Sequence, residues 1–251
     1  MVTSVAHAGN PAKPVRTKPG ARYDNYFFSS LALLILATVF VGFAPTYYLA
    51  GVFRAPLPSL IIHLHGAVFS CWVLLLVTQT SLVSAGRVDM HRRLGLAGFL
   101  LAVLMVVLGV LAATDSLVHE RGPVGRDARF FYIIPLSSML SFATLIYFAF
   151  RARFHPSAHK RFILLATVSL TVAALARWPF ALLHGHVFVA MLFSDIFVLV
   201  LVLYDVWSTR RVHRATLGAG AFLIIVQQLS IPIGTTSAWH AFAGWVQSIA
   251  R

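Results

Sequence analysis

Cysteine, acid and lysine are all scarce in this chain. One cysteine, Cys71, stands among 251 residues, so neither an intrachain disulfide framework nor a thiolate metal cage can be built. Cys71 falls inside an apolar run and is expected to be a small packing residue. The acids are Asp24, Asp89, Asp115, Glu120, Asp127, Asp195 and Asp205, against 20 lysines and arginines. Charged residues make up 11% of the chain, roughly half the quarter usual in soluble domains. The lysines are Lys13, Lys18 and Lys160, none inside an apolar stretch, which excludes a retinal Schiff base of the rhodopsin kind. Neither Gly-x-x-x-x-Gly-Lys nor His-Glu-x-x-His occurs, so a nucleotide motor and a zinc protease lack their motifs. A basic balance can mark a nucleic-acid partner. Here the cations form short clusters between long apolar runs, which is the loop bias of a membrane protein, and no nucleic acid is expected.

What the chain has is apolar length. A spanning helix needs ~20 mostly apolar residues, and seven stretches qualify: Phe27 to Leu49, Leu57 to Val83, Leu94 to Leu117, Phe130 to Phe150, Arg161 to Phe180, Leu183 to Val206 and Ala215 to Ile233. The expected fold is all-α, a polytopic transmembrane bundle over 27–238, with one leading helix and three hairpins. Residues 1–26, rich in Pro, Gly, Lys and Arg, read as a disordered basic tail. The apolar run after them is too long for a signal peptide. Residues 239–251, with Trp239, His240 and Trp245, read as an outer interfacial segment. Placing the N-terminus inside puts 14 basic residues on the inner side and 6 on the outer. That bias predicts a cytoplasmic N-terminus, an outside C-terminus and a bacterial inner membrane, with the lipid bilayer as first partner.

A parallel internal repeat is visible. The second stretch carries His65-Gly66-Ala67-Val68-Phe69 and the sixth opens on His184-Gly185-His186-Val187-Phe188; His91-Arg92 precedes the third and His213-Arg214 the seventh. The histidines therefore fall into an outer and an inner layer. Imidazole is a good ligand for haem iron, and a haem held across a bundle needs one histidine from each of two helices at matching depth. His65 with His184 meets that condition in the outer half, and His91 with His213 or His159 in the inner half. The plainer alternative is that the inner histidines belong to the basic boundary and the outer ones to the interface. His155 and His159 share i, i+4 spacing, but Pro156 favours the first helical position and leaves His155 as a cap.

Asp195 falls in the middle of the sixth stretch, where an ionised carboxylate is costly. It lies about three turns below His184 on a continuous helix. Gln79 lies below His65 in the same way, and Gln227 and Gln228 fall mid-way along the seventh stretch. A polar interior shared by the second, sixth and seventh helices is expected: a proton relay, a quinone pocket or a ligand cavity, against plain interhelical hydrogen bonding. Asp115 is one turn before His119 and is expected to bond it. Arg177, beside Trp178, is expected to hold an anionic group such as a propionate or lipid phosphate, or to anchor at the interface.

The order of Gly42-Phe43-Ala44-Pro45-Thr46-Tyr47-Tyr48, His65-Gly66, Trp72, Gln79, His91-Arg92-Arg93-Leu94-Gly95, His159-Lys160-Arg161, Arg177 and Tyr204-Asp205 before His213 resembles a family of bacterial multi-helix membrane proteins of unknown function. The helix-end histidines are more remotely similar to those of membrane proteins linked to haem and terminal-oxidase assembly. The resemblance implies a membrane bundle and transfers no reaction. Three functions remain open. The first is b-type haem bound by paired histidines, for electron transfer or respiratory-complex assembly. The second is a proton-coupled transporter of a small solute, built on Asp195 and the repeat. The third is a non-catalytic membrane subunit or assembly partner.

Overall fold

Helix formation follows the apolar runs. The computed structural model describes residues 19–56, 58–122 and 127–251. Its elements are α1 (Pro19–Phe43), a π-helical turn (Ala44–Tyr48), α2 (Ala50–Phe53), α3 (Leu60–Ser84), α4 (Val88–Val118), α5 (Ala128–Arg151), α6 (Pro156–Val168), α7 (Thr171–Leu175), α8 (Val187–Thr209), α9 (Arg214–Gly234) and α10 (Ser237–Ile249). Among the described residues seven spans are long and apolar enough to cross a bilayer: α1 with its π turn, α3, α4, α5, α6 with α7, α8 and α9. The chain is an all-α, multi-pass membrane protein, with no strand among the described residues.

Several expected boundaries move. Residues 19–26 are helical rather than tail, and 1–18 lie outside the described residues. The third span starts at Val88 rather than Leu94, because Arg92 and Arg93 can extend to a polar interface from within a helix. The sixth span starts at Val187, not Leu183. His186 is its N-cap, and Gly185, at φ +76°, folds back to donate its N–H to Ala176 O at 2.9 Å. His184 therefore precedes the helix, and its expected alignment with Asp195 does not hold. Cys71 is exposed on the flank of α3, not packed inside.

The fifth span is the axis of the bundle. Of its most apolar window 61% is buried, against 17% for α3. Around it run α1, α3, α4, α5, α9 and α8, each packed on its neighbours in that order, with α1 and α8 joined by the stacked rings of Phe27 and Tyr204. Small and hydroxylated residues make this possible, since without a hydrophobic drive between helices association relies on close packing and side-chain hydrogen bonds. The helix breaks between Val168 and Thr171. The Val168 carbonyl so freed accepts from Thr171 Oγ1 at 2.8 Å and Ser194 Oγ at 3.3 Å, as an interrupted helix in lipid requires. Trp72 Nε1 donates to Thr167 Oγ1 at 3.1 Å, tying α3 to the axis. Gly42 of α1 crosses α7 so closely that an added Cβ would lie 2.2 Å from the Ala174 carbonyl oxygen.

The expected C-terminal segment is the helix α10, laid across the ends of α4, α5 and α9. Gln247, buried beneath it, accepts from Arg129 Nε at 3.2 Å and donates to Leu117 O at 3.3 Å. Phe242, Trp245 and Ile249 are exposed along its other side, the amphipathic pattern of a helix lying in a membrane interface.

Candidate functional site

The histidine layers resolve unequally. At the end where α1 begins, the basic end, His91 stands on the first turn of α4 and His159 on the first turn of α6. Their ring centroids are 6.4 Å apart and the planes nearly perpendicular, at 83°. His159 is positioned by Pro156 at the first helical position, with His155 as N-cap. Its Nδ1 lies 2.9 Å from the carbonyl oxygen of Ala149, near the end of α5. A ring that donates Nδ1–H to a carbonyl leaves its Nε2 lone pair free, the arrangement common in metal-ligating histidines.

Three side-chain atoms among the described residues are buried without a hydrogen-bond partner: His91 Nδ1, Gln79 Oε1 and His65 Nδ1. Gln79 belongs with His91 and not, as expected, with Asp195. Its amide nitrogen comes close to Gly95, one turn above His91 on α4, while α3 and α8 flank different sides of the axis. All three orphaned atoms lie on α3 and α4, and Gln79 Oε1 and His91 Nδ1 lie together at the basic end of that pair. Such atoms are costly unless a ligand or water satisfies them.

The outer layer does not close. His65 packs on Phe69 at 4.0 Å between ring centroids, while His184 is exposed in the connection before α8. No hydrogen bond, ion pair or ring contact joins them among the described residues. The repeat-related histidines also differ in register: His91 lies inside its helix, whereas His213 is the N-cap of α9, its Nδ1 accepting from Ala215 N at 3.1 Å. Arg177 donates to Ala173 O at 2.6 Å and stands 4.8 Å from the Phe43 ring centroid. Asp115 does pair with His119, at 3.3 Å, and also accepts from Arg121 at 3.0 Å and Ser59 at 3.1 Å.

The mid-span polar group assembles from two helices. Gln228 Nε2 donates to Asp195 Oδ2 at 3.1 Å, and Gln227 Nε2 donates to Met191 O at 3.0 Å with Asp195 Oδ1 at 3.5 Å. Gln227 is buried; Asp195 and Gln228 are half-buried.

A further polar network lies at the basic end. Asp205, fully buried, accepts from Arg161, from Thr216 Oγ1 and from the backbone N–H of His213 at 3.0 Å. Arg161, itself buried, also donates to Ser157 O at 2.7 Å. Next to it, Asp24 accepts from Lys160 and from Tyr204. The sequence places Lys160 and Arg161 in the basic inner boundary and in the His159-Lys160-Arg161 motif, without partners for their charges. The available signal was that Asp24 and Asp205 fall at the same end as those cations.

Among the described residues no three His, Cys, Asp or Glu side chains converge as a metal cage. Comparison with protein-family models, curated proteins and solved structures found no match.

Proposed function

We propose that this is a bacterial inner-membrane protein, its basic end in the cytoplasm, that binds a b-type haem through His91 and His159. It would pass electrons within the membrane or serve the assembly of a respiratory complex. The observation that carries this reading is the adjacent imidazole pair of His91 and His159. With centroids 6.4 Å apart, the two rings are near enough that one nitrogen of each could reach a common ion at roughly 2 Å. Two protein nitrogens are also the number a haem needs, because the porphyrin supplies the other four ligands. The fit is one of ligation: the cavities beside Asp195 and Gln228, described below, do not reach these rings.

A bound haem supplies a one-electron couple. The chain's own part is to hold His159 in one tautomer through the Ala149 carbonyl and to offer an otherwise unpartnered His91 nitrogen. It also keeps the site among apolar side chains such as Phe99, whose ring centroid is 6.4 Å from that of His159. The transport reading draws less support, since Asp195 opens on a groove at the lipid-facing flank of α8 rather than on the axis.

The test is the visible spectrum of the protein purified in mild detergent, oxidised and then dithionite-reduced. A Soret band with reduced α and β bands is expected. His91→Ala and His159→Ala should each abolish it, and His184→Ala should leave it intact. A preparation that stays colourless after added haemin overturns the reading, as does a spectrum unchanged in both ligand variants.

A further inference from the structure

Asp195 and Gln228, hydrogen-bonded to each other, each line an apolar space. A groove of about 370 Å³ runs along α8 past Leu192, Ile196 and Leu199 to Ile224 of α9, with Asp195 as its charged member. A cavity of about 310 Å³ is lined by Phe130, Phe131, Phe188 and Ile231, with Gln228 as its polar member. Both volumes lie at the lower end of the range that holds small organic ligands, roughly 300–1,000 Å³. Gln228 uses its amide nitrogen on Asp195, and its carbonyl oxygen accepts no hydrogen bond among the described residues. The couple therefore offers an acceptor from each residue and a carboxyl group that can take or give a proton.

We infer that this couple is the head-group site of an isoprenoid quinone, the ring seated among the phenylalanines and the tail laid along the α8 groove. The chemistry matches at each part. A quinol hydroxyl donates to the Asp195 carboxylate or the Gln228 carbonyl, and a quinone carbonyl accepts from an amide N–H or a protonated carboxyl. A flat ring suits aromatic walls, and a polyisoprenoid tail suits a groove open to lipid. A lipid acyl chain would make no use of a carboxylate held by two glutamines at mid-span, where such a group is costly to keep. The inference concerns binding, goes beyond the haem reading and does not depend on it.

The experiment is photolabelling of the full-length protein in nanodiscs of quinone-free phosphatidylcholine and phosphatidylglycerol. The probe is an azido-ubiquinone with a short tail, and labelled peptides are mapped by mass spectrometry. Labelling is expected on peptides of α8 and α9, or of the start of α5, and is expected to be displaced by excess decylubiquinone. Asp195→Leu and Gln228→Leu should each lower it by about tenfold, the loss that one strong hydrogen bond brings. The wild-type competition decides the matter even where a variant fails to fold. Labelling spread evenly over lipid-facing helices and insensitive to competitor overturns the site in favour of acyl-chain occupancy. A polypeptide that co-purifies and cross-links through this groove overturns it in favour of a partner helix. The visible spectrum that tests haem plays no part in either outcome, so the two readings fail separately.

Discussion

His213 shows how one side chain can be a plausible ligand in sequence and a structural acceptor in space. Its Nδ1 caps α9 by accepting from Ala215 N, and its backbone N–H is held by Asp205. Burial, and then the positive charge of Arg161, push its pKa below the ordinary histidine value. The folded chain therefore keeps it neutral where the unfolded chain would protonate it. Stability from this group is present above the ordinary pKa of ~6.5 and is lost as pH falls below it. Asparagine caps helices well without titrating in this range. His213→Asn should thus narrow the gap between melting temperatures measured in detergent at pH 7.5 and pH 5. An undiminished gap would remove His213 as the sensing group. The pairing of His91 with His159 was one of two inner pairings open in the sequence, whereas the capping use of His213 was not legible. That use depends on where α9 starts, and apolar periodicity locates helix ends only to within a few residues.

At the scale of elements, the Arg161–Asp205 pair joins the axis to α8 and, through Thr216 and His213, to α9. Removing one partner from a buried pair strands the other charge, at a cost of about 3–5 kcal/mol. Asp205→Ala should lower stability by that order in denaturant titrations of the detergent-solubilised protein, and the double change Arg161→Met with Asp205→Leu should recover much of it. Equal losses in the single and double variants would show that the pair is not coupled. Element positions themselves were largely readable, because a bilayer imposes a minimum apolar length. The gathering of Asp195, Gln227 and Gln228 was readable too, since an intramembrane polar residue must find a partner on a neighbouring helix. Gln79 was misplaced for a physical reason. The order of helices around the axis cannot be counted in the sequence, and Gln79 falls near the end of α3, level with His91, whereas Asp195 and Gln228 lie well inside α8 and α9.

For the molecule as a whole, orientation in the bilayer follows as a prediction from where the cations lie. Clusters such as Arg92-Arg93 and Arg210-Arg211 lie at the end where α1 begins, while α10 lies at the other. Cation bias in short loops predicts that first end inside. Alkaline phosphatase fused after Arg251 should therefore be active and a green fluorescent protein fused there dark; the reverse pattern would invert the topology and move the proposed haem to the outer face.

The enclosed fifth span has one more consequence, which concerns how the chain is made. It is the least apolar of the seven and opens on His159, Lys160 and Arg161, so it gains least from lipid on its own. Asp24, which takes Lys160, has already been synthesised when this segment leaves the ribosome. Asp205 and Thr216, which satisfy Arg161, have not. Until α8 and α9 emerge, the Arg161 guanidinium at the basic end of the axis lacks the carboxylate that it pairs with in the finished fold. The core of the bundle therefore closes only after α8 and α9 have joined it, although the axis that they close upon is made before them.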